Sequence, residues 1–298
     1  MKRVLKWLGI GAGGLAGVSV LAIAGIYGVS QKKIAQRFDV TPEAVAVAYD
    51  DATLARGRHV SRAISKCVDC HGADYAGRTF LNDPMLGRIV APNLTPAGVT
   101  AGYTDADWVR AIRHGVKRDG RSALIMPSYE FWHLTDQDLG ALVAFLKALP
   151  PVMNDTLPKM RLGPMGRFII ATGAFPALAA TAIDHDAPRP APPAVAETAE
   201  YGKYLAAVGC VGCHGPSLHG GAPPAPPAPD ITTASGVTSG WTLDDFRIAL
   251  RAGLRPDGTK IDTSMPWNLT TELSDVEIGA LWAYINSLSP TYLVAGAR

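Results

Sequence analysis

Two five-residue runs constrain this chain more than anything else in it: Cys67-Val68-Asp69-Cys70-His71 and Cys210-Val211-Gly212-Cys213-His214. Together they use all four cysteines, so no thiol is left over for a structural disulfide. Cys-x-x-Cys-His is the attachment signature of c-type haem. Two thiols three residues apart can each add to one vinyl group of the same macrocycle, and the histidine that follows is then placed under the iron as proximal ligand. A zinc centre needs four ligands, and no second cysteine or histidine pair lies at a suitable spacing. A thioredoxin-type pair needs a βαβ setting, which the sequence lacks. The expected cofactors are therefore two covalent haem c groups, held by Cys67, Cys70, Cys210 and Cys213, with His71 and His214 on the irons.

The surroundings of the two runs repeat as well. Asp107-Trp108-Val109-Arg110 through Asp119-Gly120 returns 138 residues later as Asp245-Phe246-Arg247-Ile248 through Asp257-Gly258. Pro92-Asn93-Leu94-Thr95 returns as Pro229-Asp230-Ile231-Thr232, and Leu134-Thr135-Asp136 as Leu273-Ser274-Asp275. One module has been used twice. Each copy reads as helices joined by loops. Thr135 and Ser274 are expected N-caps, followed by apolar residues at helical spacing (Leu139, Leu142, Val143, Leu146; Ile278, Leu281, Trp282, Ile285). Gly115 and Gly253 are expected C-caps of the preceding helices. The loops from Gly77 to Thr104 and from Gly220 to Gly240 show no sustained alternation, so the reading is all-α with little β-structure.

A sixth iron ligand should be a thioether or a second imidazole. Met126-Pro127 lies 55 residues after His71, and Met265-Pro266 lies 51 after His214. Methionine is more often core filler than ligand, but these two recur at one place in the repeat, between two helices. His133 is the rival in the first module. His/Met ligation raises the potential of a haem and leaves no open site for oxygen or peroxide.

Lys2, Arg3 and Lys6 precede a charge-free run from Trp7 to Ser30, and Lys32 and Lys33 follow it. Twenty-four residues make a helix of about 36 Å, enough to cross a bilayer. Ala22-Ile23-Ala24 resembles a signal-peptidase site, yet the apolar run continues to Val29, which favours an uncleaved anchor. The expected organisation is an anchor at 1–33 (helix about 7–30), a first module at 48–153, an apolar and proline-rich connector at 154–196 and a second module at 197–292. The connector's apolar run, Phe168 to Ile183, is broken by Pro176 and is a poor span. The first module holds 12 basic and 11 acidic side chains, the second 5 and 10. A net charge of +2 gives no footing for a nucleic-acid partner. His59, His114, His185 and His219 read as surface or loop residues, and no paired carboxylates suggest acid/base catalysis.

On the Cys-x-x-Cys-His pairs, the Pro92-to-Thr95 motif, the Arg113/Gly115/Asp119/Gly120 cluster and the Met-Pro pairs, with their counterparts, residues 48 to 292 resemble class I cytochromes c. The arrangement resembles the cytochrome c subunits of membrane-associated alcohol, gluconate and aldehyde dehydrogenases, but with two haem motifs rather than three. The resemblance implies two tandem cytochrome c domains behind one transmembrane helix. It also implies a bacterial cytoplasmic membrane location, with the N-terminus inside and the haem modules in the periplasm. The expected function is electron relay, not catalysis, from a dehydrogenase to a soluble cytochrome c or terminal oxidase. The alternatives are a bridge between a quinol-oxidising cytochrome complex and an oxidase, or a dihaem peroxidase or thiosulfate-oxidising enzyme.

Overall fold

The computed structural model describes residues 2–189, 191–221 and 228–289. Pro190 of the proline-rich stretch, 222–227 of the second long loop and 290–292 of the expected second module lie outside them. The first helix, α1, runs unbroken over Lys2–Ala35 and contains the expected 7–30 span. It passes through Ala22-Ile23-Ala24 without interruption and is long and apolar enough to cross a membrane.

Each module is framed by a first and a last helix that cross at a glycine. In the first module these are α2 (Asp51–His59), continued by a π-helical turn at Val60–Ile64, and α6 (Asp136–Lys147). Between them lie α3 (Cys67–His71), α4 (Asp105–Arg113) and the single turn α5 (Ser128–Phe131). After the connector, which contributes α7 (Pro164–Thr172), the second module repeats the series. Its helices are α8 (Ala199–Gly209), α9 (Val211–His214), α10 (Leu243–Ala252), α11 (Trp267–Thr270) and α12 (Asp275–Ser287). The expected caps are in place: Thr135 Oγ1 accepts from Asp138 N at 3.1 Å, and Ser274 Oγ from Glu277 N at 3.2 Å. Gly253 ends α10 in the left-handed conformation, whereas α4 is capped by His114 with Gly115 one residue beyond.

The chain is mostly helical, as expected, with one small three-stranded sheet. The first long loop folds into an antiparallel hairpin, β1 (Arg78–Asp83) and β2 (Gly87–Ala91), to which the connector adds β3 (Arg161–Leu162). A register shift between Thr79 and Leu81 breaks the two-residue period, so the strand carries no clean alternation to read. The turn is set by Asp83, whose Oδ1 accepts from Met85 N (2.8 Å) and Leu86 N (2.7 Å). The connector's apolar run packs on the body: Ile170, Ala177 and Leu178 form a small core with Ile34, Ile125 and Leu162.

The two modules share one continuous core, from Val60 and Leu139 in the first to Leu205 and Ile278 in the second. Polar contacts across it follow a pseudo-twofold pattern. Counted from the crossing glycines Gly57 and Gly202, His59 corresponds to Tyr204. His59 Nε2 meets Glu277 Oε1 of the second module at 2.8 Å, and Tyr204 Oη donates to Asp138 Oδ2 of the first at 2.5 Å. Asp138 and Glu277 hold the same place in α6 and α12. His59 is therefore an interface residue rather than a surface one. His114 is also buried, at 4% exposure, with Nε2 3.0 Å from Glu43 and Nδ1 3.1 Å from His185. The segment before α2 and the connector cover it, and neither contact is local in sequence. His219 lies 3.2 Å from Asp230.

Candidate functional site

The two attachment runs form matching short helices, and the motifs flagged by repetition are what fix their histidines. His71 Nδ1 donates to Pro92 O, and His214 Nδ1 donates to Pro229 O, each at 2.9 Å. A proton held on Nδ1 leaves the Nε2 lone pair free for a metal. Each proline opens a four-residue turn that its second residue braces. Asn93 Oδ1 accepts from Thr95 N (2.9 Å) and Thr95 Oγ1 (2.7 Å), and Asp230 Oδ1 from Thr232 N (2.7 Å) and Thr232 Oγ1 (2.8 Å). The turn is also tied to the segment that follows each attachment helix, since Leu94 N donates to Tyr75 O and Ile231 N to Leu218 O. Burial pushes both imidazoles toward the neutral form that ligation requires, against the opposing pull of the proline carbonyls. Tyr75 packs beside the first run, its Oη 2.8 Å from Ser61 Oγ.

The cysteines are free of disulfides. Burial raises the Cys67 thiol to about 11 and, with the Asp69 charge, the Cys70 thiol to about 12, so both stay protonated. Met126 and Met265 pack against the shared core, half-buried. The proline after each starts a single helical turn from nearly identical dihedrals, φ −81° and ψ 54° at Pro127 and φ −78° and ψ 55° at Pro266. His133 lies past that turn, its ring edge-on to Trp132 and within the field of Lys203 in the second module. The buried Arg113 guanidinium donates to Leu134 O (2.6 Å) and Asp136 Oδ1 (2.9 Å), and Arg251 repeats this with Leu273 O and Asp275 Oδ1. These arginines tie α4 to α6 and α10 to α12, and thereby hold the methionine loops between them.

No local pattern announces that the surroundings of the two attachment runs meet across the module interface. Lys66, just before Cys67, donates from Nζ to Gly209 O, just before Cys210, at 3.1 Å. Gly212, between the second pair of cysteines, donates from its N to Glu130 Oε2 at 3.3 Å, and Glu130 follows the first methionine loop. Buried carboxyls of this kind leave no periodic signal, and only the tertiary fold exposes the pairing.

Thus each module offers two free thiols, an oriented imidazole and a recurring methionine loop, and these residues fit a covalently held haem. Comparison with known proteins agrees. The cytochrome c family model matches residues 54–150 and 199–289, more than half of the chain. The chain belongs to the cytochrome c family. It is 38% identical over 104 residues to an alcohol dehydrogenase (quinone) cytochrome c subunit of Gluconobacter oxydans, covering 32% of this chain and 21% of that one. It is 35% identical over 113 residues to a gluconate 2-dehydrogenase cytochrome c subunit of Pantoea cypripedii, covering 35% and 25%. A diheme cytochrome c-type protein of Cereibacter sphaeroides is 30% identical over 173 residues, 53% of this chain and 55% of that one. The chain thus spans from about a fifth to about half of these relatives' lengths. They are cytochromes and cytochrome subunits, electron carriers rather than catalysts.

One group in this cytochrome c has a pH consequence. Glu130 is 8% exposed, and burial raises its carboxyl from 4.5 to about 7, although the Gly212 N–H and the Lys66 charge oppose the rise. Tyr129, Cys210 and Cys213 are its other ionisable neighbours. A carboxyl with a raised pKa binds its proton more tightly in the folded chain. The contribution of Glu130 to stability is therefore fully present below the ordinary carboxylate value and is lost as pH rises from 4.5 to 7. Glu130→Gln should match the parent in the acid range and exceed it at alkaline pH by up to about 3 kcal/mol. Denaturant midpoints at the two pH values measure this, and a constant offset between variant and parent would show that Glu130 is not the group.

Proposed function

We propose that this protein is a membrane-anchored dihaem relay that passes single electrons across the periplasm from a dehydrogenase to a soluble cytochrome c or terminal oxidase. The observation that supports the reading most is that the surroundings of the two attachment runs meet across the module interface: Lys66, before the first run, bonds Gly209, before the second, and Glu130, after the first methionine loop, bonds Gly212 within the second. Groups attached there would sit as near neighbours within one core, as relay between them requires. When bound, the haem irons supply the one-electron chemistry. The chain attaches them through Cys67, Cys70, Cys210 and Cys213 and ligates iron with His71 and His214. Met126 and Met265 would each offer a thioether to the iron of their own module, leaving no place for oxygen or peroxide. α1 anchors the chain with its N-terminus inside. Several relatives are named as dehydrogenase cytochrome subunits, which favours a dehydrogenase as donor.

The acceptor surface is assigned to the second module. Asp257 and Asp262 are fully exposed, and their carboxyls are held below the usual range by hydrogen bonds from Thr259 and Ser264. Purified protein should hold two covalent haems and reduce a basic soluble cytochrome c at a rate that falls as salt rises. Replacing Asp244, Asp257 and Asp262 together by asparagine should flatten that dependence; Asp245 is spared because it caps α10. A haem content of one per chain would refute the dihaem reading. A rate indifferent to salt would remove the acidic face from the docking site.

A further inference from the structure

Near the end of α1 the fold leaves apolar side chains in the open beside the helix read as an anchor. Trp7 and Tyr27 are 70% and 42% exposed. They stand 20 residues apart in α1, about 30 Å along the axis, which is the thickness of a bilayer's hydrocarbon core. Aromatic rings at such ends mark the two interfaces. α7 is fastened to α1 at the level of Tyr27. The Arg167 guanidinium lies over the Tyr27 ring, 4.6 Å from its centroid, and donates to Ser30 Oγ at 3.1 Å, while Lys33 Nζ donates to Ala171 O at 2.9 Å. The hairpin turn is joined to the start of α7, with Met165 N donating to Met85 O (2.9 Å) and Gly163 N to Leu86 O (3.0 Å).

On this unit Met85, Met165 and Phe168 are 52%, 41% and 44% exposed, and Met165 and Phe168 lie three apart on one face of α7, opposite the buried Gly166 and Ile170. Basic residues lie on the same elements: Lys32 in the last turn of α1, Arg88 and Arg161 opposite each other on β2 and β3, and Lys159 just before β3. Arg88 Nε donates to Lys159 O at 3.2 Å, and none of the four forms a salt bridge among the described residues. Asp83 is the acid of the hairpin, and its Oδ1 is engaged by the turn.

We propose that α7 and the hairpin turn form a foot that rests in the outer headgroup layer of an anionic bilayer. Met85, Met165 and Phe168 enter the acyl boundary and the unpaired cations meet lipid phosphates. The foot gives the first module a fixed orientation on the membrane instead of a free tether. It rests on the reading of α1 as an anchor. Continuity with that helix, the match of Tyr27 to the interface, and the unpaired cations favour lipid over a protein partner.

The native thiols of the holoprotein are consumed as thioethers, so single cysteines at positions 15, 168 and 248 can carry nitroxide labels. The full chain is placed in vesicles of phosphatidylcholine with phosphatidylglycerol. Leu15→Cys and Phe168→Cys should be relaxed by oxygen in preference to a water-soluble nickel chelate, and Ile248→Cys by the chelate. Adding Arg88→Glu and Arg161→Glu should shift only position 168 toward water. If position 15 is lipidic and position 168 aqueous, the foot is wrong and the anchor stands. If position 15 is aqueous, the anchor itself fails. Position 168 aqueous in vesicles but shielded from both reagents in native membranes would make the face a protein contact and overturn the proposal.

Discussion

Met126→Ala and Met265→Ala should each remove about half of the weak near-infrared methionine-to-iron band of the oxidised protein and lower one haem potential by on the order of 100 mV or more. Each variant should also acquire one iron that binds carbon monoxide or cyanide, which the parent should not. The expectation rests on the two methionine loops, which reach matching geometry through Pro127 and Pro266 and are clamped by Arg113 and Arg251. His133→Ala is the control: it should leave the band and both potentials in place. Retention of the full band in both methionine variants, or its loss with His133, would reassign the sixth ligands. The loop sits at the surface of the core rather than within it, so the fold should survive either change.

The reverse holds at the helix crossings, where Gly57→Val and Gly202→Val should each cost more than about 3 kcal/mol. A Cβ at Gly57 would lie 1.9 Å from Ala141 O and 2.8 Å from Phe145 Cβ; at Gly202 it would lie 1.9 Å from Ala280 O and 2.8 Å from Tyr284 Cβ. The nearest obstacles are backbone, so no rotamer relieves them and the paired helices must separate. Both glycines adjoin residues of the module interface, Arg56 and Tyr201, and a displacement in one module reaches the other through Asp138 and Glu277. Melting of the holoprotein should fall by roughly 6 to 12 °C or more. Gly17→Val in α1, where nothing lies within 4 Å of the added atom, should leave the melting point unchanged. Equal melting of all three variants would mean that the helices cross elsewhere.

The sequence by itself determined whatever is encoded within a few residues or by repetition. Cys-x-x-Cys-His states the attachment chemistry because the thiols and the imidazole must lie on one short turn. Thr135 and Ser274 mark helix starts because their hydroxyls reach backbone N–H groups three residues on. Duplication picked out the Pro92 and Pro229 turns, and the structure explains them as the carbonyls that hold His71 and His214 in one tautomer. What only the tertiary structure decided is how the parts meet. Lys66 finds Gly209 across 143 positions of chain, and Glu130 finds Gly212 across 82. No period of two or 3.6 residues announces a partner that far away. The hairpin escaped notice because its bulge breaks alternation and its third strand comes from the connector. The cross-module partner of His59 and the burial of His114 and Glu130 escaped for the same reason: a polar side chain meets whatever the fold brings to it, and here that comes from the other module, the segment before α2 and the connector.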